Sequence, residues 1–96
     1  MYINSVNVEF DSVKNDINRA KHDVSMTAAS GFDWDTAIER GDDRFDYDEV
    51  RFVAIGLIES RLYVMVFTDG TNDDAVRVIS LLRAEKHEAR FYHDQV

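Results

Sequence analysis

The sequence has 96 residues, 45% of them apolar and 31% charged, and its 11 Lys and Arg stand against 19 Asp and Glu for a net charge of −8. That length closes one modest core and excludes a second of ordinary size; the apolar content excludes a chain that stays disordered, and the acidic balance excludes a general polyanion coat. With no cysteine, no leader-like start and no apolar run near the roughly 18 residues of a membrane span, the expectation is a cytoplasmic, single-domain protein over residues 1–96 without disulfides or membrane contact.

Taken along the chain, "VNVEF" alternates and predicts a short first strand with Val6, Val8 and Phe10 on one side. Asp11 or Ser12 can cap a helix to about Lys21, whose apolar stripe is Val13, Ile17 and Ala20. Ser25 is placed to cap a second, short helix over "MTAASGF". The middle is irregular and acidic: Phe32 to Glu49 carries eight carboxylates against Arg40 and Arg44, with an edge strand expected around Thr36 to Glu39.

Three stronger strands follow in "VRFVAIGL", "RLYVMVFT" and "AVRVISLL", rich in β-branched and aromatic residues. Their short connections predict an antiparallel meander, because a parallel return needs a crossover of about a dozen residues. The closing "RAEKHEARFYHD" has strong helix formers, with Ala84, His87 or Glu88, and Phe91 at helical spacing. The expected fold is α+β: an antiparallel sheet of about four strands, two N-terminal helices and one C-terminal helix, with the helices grouped at one face.

Positive charge gathers in the last segment, where Arg77 to Asp94 holds four of the eleven basic residues and two of the three histidines. Arg77 and Arg83 flank Ser80 near a strand end, an arrangement able to grip a phosphate or to steady charge on a pentavalent phosphorus; each arginine could equally pair with an acid on a neighbouring strand. On the last helix, Glu88 and Tyr92 lie four apart and share a face that could exchange protons or simply be solvated. Lys21 and His22 end the first helix, where the helix dipole alone accounts for cations, and where His22 could also act as base or acid. Glu49 and Arg51 share one side at the start of a strand. No His, Cys or carboxylate spacing matches a metal site, and no glycine-rich loop matches a phosphate or dinucleotide cradle, so no metal or cofactor is expected.

Taken together, "VEFDSVKNDINRAKHDVSMTAA", "EVRFVAIG", "LYVMVFT" and "RVISLLRAEKHEARFY" resemble the BrnT family, the toxin half of a bacterial type II toxin–antitoxin pair. The family pattern is matched in order by Phe10, Asp11, Lys14, Asn18, Lys21, His22, Val24, Glu49, Arg51, Ile55, Gly56, Arg77, Ile79, Ser80, Glu88 and Tyr92. The resemblance implies a compact RelE-like fold and a metal-independent ribonuclease that blocks translation. It also implies neutralisation by a BrnA-type antitoxin that also binds DNA, with no direct DNA contact expected of this chain. On this chain it implies phosphate and transition-state contacts from Arg77 and Arg83 with Lys21, Arg51 and Ser80 nearby, and proton transfer by His22, Glu49, Glu88 or Tyr92. Two positions depart from the pattern. Asp23 stands at a turn where the family has glycine, and Leu82 stands ahead of Arg83, displacing that arginine by one residue. The other reading is a non-catalytic module of the same fold whose acidic Phe32–Glu49 segment engages a basic partner.

Overall fold

The computed structural model describes residues 6–41 and 50–96. In chain order the elements are β1 (Asn7–Glu9), α1 (Ser12–His22), a 3-10 segment (Met26–Gly31), β2 (Ile38–Gly41), β3 (Phe52–Ile58), β4 (Arg61–Asp69), β5 (Ala75–Arg83) and α2 (Lys86–Gln95). The strands form one sheet in the order β1-β5-β4-β3-β2. The class is α+β as expected, with five described strands instead of about four, and the sheet is mixed. β2 to β5 are antiparallel neighbours, but β1 lies parallel to β5. A short turn dictates direction only between strands it joins, and most of the chain intervenes between β1 and β5.

The expected caps form. The Asp11 carboxylate accepts from the Val13 and Lys14 amides at 2.8 and 3.3 Å, and Ser25 Oγ accepts from Thr27 N at 3.3 Å. At the end of α1, Asp23 is left-handed (φ 55°, ψ 35°) and donates its N–H to the Arg19 carbonyl, the closing geometry usually given to glycine. The β3–β4 hairpin turns on two residues, and Glu59 takes a positive φ of 58° to close it.

α1 does not pack as its pattern predicts. Val13 is 64% exposed and Ile17 54%, while the residue buried from this helix is Asn18. The Asn18 carboxamide donates to the Leu81 carbonyl (2.7 Å) and the Val24 carbonyl (2.9 Å) and accepts from the Leu81 amide (3.1 Å). β1 pairs with β5 only as far as Arg77, so beyond it one side chain pairs the β5 edge in place of a strand. Asn15 acts similarly one turn earlier, accepting from Met26 N at 2.7 Å. Hydrogen bonds, not an apolar stripe, choose which face of α1 turns inward.

The core lies on one side of the sheet. Met26, Ala29 and Phe32 pack onto Ala54, Met65, Phe67, Val78 and Leu81, and Trp34 meets Phe32 and Phe67 edge to face at 4.8 and 5.2 Å. Phe32 sits so close over β3 that a Cβ at Gly56 would fall 2.5 Å from its ring, so this position admits only glycine without a shift. The helices are not grouped at one face. α2 lies over the side of β3 and β4 that carries Val53, Ile55 and Val64, opposite Ala54 and Met65.

Candidate active site

A β-bulge decides where the β5 side chains go. Phe67 pairs with Val78 and Val66 with Ser80, which leaves Ile79 as an extra residue. Simple alternation predicts Ser80 with Val78 and Leu81 with Arg77. The bulge reverses both pairings: Leu81 joins Val78 in the core, and Ser80 joins Arg77 on the opposite face. Arg51, half-buried just before Phe52, continues β3 on that same face, level with Thr68, which in turn pairs with Arg77. Thr68 is buried, and its hydroxyl donates to the Val50 carbonyl at 2.5 Å, tying the chain beside Arg51 to β4. Arg77 is exposed, and its neighbour across the parallel pair is Glu9, whose carboxylate accepts from Thr71 N (3.2 Å) and Thr71 Oγ1 (2.6 Å). Arg51, Arg77 and Ser80 thus share one end of one sheet face.

The other end of that face is roofed by α2. Between them lies a cavity of about 420 Å³, lined by Ile38, Val53, Ile55 and Val64 from the sheet, by His87, Glu88 and Phe91 from the helix, and by Glu39 and Arg40 at the margin. Two contacts fix the helix. Glu88 Oε1 accepts from Glu85 N at 2.7 Å in a capping box, and Tyr92, buried, donates its hydroxyl to the Thr36 carbonyl at 3.1 Å. The capping box brings Glu85 and Glu88 together, and His87 Nδ1 lies 3.7 Å from Glu85 Oε1, so possible metal-ligating atoms of all three fall within 4.8 Å of one another.

The remaining expected site residues lie elsewhere. Arg83 pairs with Tyr63 and shares the core side of β5 with Leu81, so it points away from Arg77. Lys21 and His22 are exposed in the last turn of α1, past the Asn18–Leu81 contact and towards the Arg83 end of β5. Glu49 lies outside the described residues. Glu88 borders the cavity, whereas Tyr92 holds α2 down. Sequence reasoning missed Thr68 and gave Phe91 only a packing position; Thr68 meets Arg77 only through the β4–β5 register, which the sequence pattern does not carry.

The family model for the ribonuclease toxin BrnT of type II toxin–antitoxin systems matches residues 10–88. The chain belongs to the BrnT family. Its fold is similar to the crystal structure of the Brucella abortus ribonuclease toxin BrnT, with a TM-score of 0.63 and 21% identity over 84% of this chain and 99% of that one. At that identity the likeness concerns the fold. No curated protein sequence matches the chain.

The span that matches BrnT contains Arg51, Arg77, Ser80 and Glu88, together with Lys21, His22, Glu49 and Arg83, and ends before Phe91 and Tyr92. Among the described residues, no helix is long and apolar enough to cross a membrane.

Proposed function

We propose that this BrnT-family chain is the toxin of a type II pair: a metal-independent endoribonuclease with a RelE-like architecture that acts in the cytoplasm, inhibits translation and is neutralised by a BrnA-type antitoxin. The observation that carries the reading is the bulge at Ile79, which puts Ser80 beside Arg77 on the face that also carries Arg51. A net charge of −8 opposes RNA at long range, so binding falls to local cations, and these two arginines supply them at one end of one face.

In such a cleavage the ribose 2′-oxygen attacks the adjacent phosphorus, the P–O5′ bond breaks, and the products are a 2′,3′-cyclic phosphate and a 5′-hydroxyl. A base takes the 2′ proton and an acid supplies one to the departing 5′-oxygen. The extra charge on the phosphorane is what Arg77 and Arg51 would stabilise, by planar donor pairs aimed at the equatorial oxygens, with the Ser80 hydroxyl as a further donor. Glu49, two residues before Arg51, and Glu88, on the α2 side, are our candidates for proton transfer. Lys21, His22 and Arg83 are assigned to phosphates further along the strand. Tyr92 is assigned to support, because its hydroxyl is buried and engaged with the Thr36 carbonyl.

The test is cleavage of RNA in EDTA by the wild type and by Arg77→Ala. The expected result is cutting by the wild type, with a loss in the variant of about 10²–10³ in rate, the usual cost of removing a transition-state donor, and an unchanged melting temperature. Intact RNA with the wild type, together with normal growth on expression, rules the enzyme out. The reading left is the acidic binding module, favoured by the net charge and by the outward Val13 and Ile17, and it requires a salt-sensitive complex with a basic partner.

A further inference from the structure

We propose that the cavity between α2 and the β2–β3–β4 face is a nucleobase pocket that takes the base beside the cleaved phosphate and favours bases with amino groups, guanine first. The inference rests on the ribonuclease reading for its ligand class.

The position comes first. Val53 in the cavity wall and Arg51 are two residues apart along one strand on one face, about 7 Å. A phosphate held at Arg51 and Arg77 would therefore carry its nucleoside towards this opening. The shape suits a flat ring. Ile38, Val53, Ile55 and Val64 form an apolar floor, and Phe91, which is 46% exposed, stands opposite them on α2. Phe91 lies three residues after Glu88 and four after His87, so all three project from the helix side that meets the cavity. A base entering this slot stacks on the Phe91 ring and removes apolar surface from water on both of its faces. The volume of about 420 Å³ accepts one base with water to spare.

The rim supplies discrimination. Glu88 borders the cavity as a carboxylate, which only accepts hydrogen bonds when ionised, and Arg40, level with Val53 on the same face, adds a guanidinium, which only donates; Glu39 is level with Ala54 and belongs to the other face. Glu88 is oriented by the Glu85 amide on Oε1, which leaves Oε2 for a ligand. Guanine offers N1–H and the N2 amino group side by side, a donor pair that fits one carboxylate. Adenine and cytosine offer an amino group. Uracil offers a single N–H between two carbonyls that a carboxylate repels. An aliphatic ligand would fill the floor and leave this polar rim unused.

The probes are uncleavable 2′-O-methyl trinucleotides with uracil at both ends and A, C, G or U in the middle, titrated into the full chain with labelled Ile and Val methyl groups. The expected result is movement of the Ile38, Ile55 and Val64 methyl signals, with the guanine probe binding at least tenfold more tightly than the uracil probe. Phe91→Ala should lose about tenfold for guanine, bringing it near uracil, and Phe91→Trp should restore the difference. Methyl signals that no probe moves, a probe order with uracil first or with no preference, or an unaffected Phe91→Ala would each overturn the pocket. RNA cutting by the wild type with unmoved methyl signals removes the pocket and leaves the ribonuclease. Phe91-dependent methyl shifts in a protein that never cuts RNA remove the ribonuclease and leave the pocket.

Discussion

The two faces of this sheet are built from adjacent residues of the same strands and have opposite characters. On one face Phe32, Met26, Met65, Leu81 and Val78 are fully buried, and the Phe32 ring leaves no room for a Cβ at Gly56. On the other face α2 covers part of the surface, Val53, Ile55 and Val66 are only partly buried, and Arg77 is exposed. The first face has the continuous packing that holds a domain of this size together. The second has room, charge and hydroxyl groups. Changes on the closed face should therefore register as stability, and changes on the open face as activity.

The largest effect on stability should come from Asn18→Ala. The substitution strips partners from the amide and carbonyl of Leu81 and from the carbonyl of Val24, all at buried positions. An unsatisfied buried polar group costs about 1–3 kcal/mol, so a total of about 3 kcal/mol or more is expected in urea unfolding. A loss under 1 kcal/mol would mean that water replaces the carboxamide and that the β5 edge does not depend on α1. A smaller effect is expected from Tyr92→Phe, which removes the bond to the Thr36 carbonyl and keeps the ring: about 1 kcal/mol of stability, with kcat for RNA cleavage unchanged. A fall in kcat with stability intact would move this hydroxyl from the support of α2 into the chemistry of the open face.

Much of this was legible in the sequence because it is local. The caps at Asp11 and Ser25, the β3–β4 hairpin and the closing helix depend on residues within a few positions of one another, and the structure has them close to where the pattern puts them. What escaped depends on partners far along the chain. The parallel pairing of β1 joins Glu9 to Arg77, and the inward face of α1 is chosen by an asparagine whose partner, Leu81, is 63 residues away. The bulge at Ile79 is a third case. Alternation in "AVRVISLL" counts every residue, whereas the ladder with β4 skips one, so Ser80 and Leu81 exchange faces. That exchange places Ser80 with Arg77 and separates Arg77 from Arg83, a division of the candidate site that no spacing in the strand reveals.

The smallest effect should come from the residues the helical pattern marks most clearly for the core. Ile17 and Val13 project from α1 on the side away from Asn18, and both are more than half exposed. Ile17→Ser therefore removes little buried apolar surface, and the expected change in unfolding free energy is within about 0.5 kcal/mol, the usual range for an exposed site. The same substitution in a helix that packs by its apolar stripe would cost several times as much. A loss above 1.5 kcal/mol would show that Ile17 faces inward in solution. In that arrangement Asn18 could not reach Leu81, and the small effect of Ile17→Ser and the large effect of Asn18→Ala would have to change places. Measured side by side, the two variants decide which face of α1 seals the sheet.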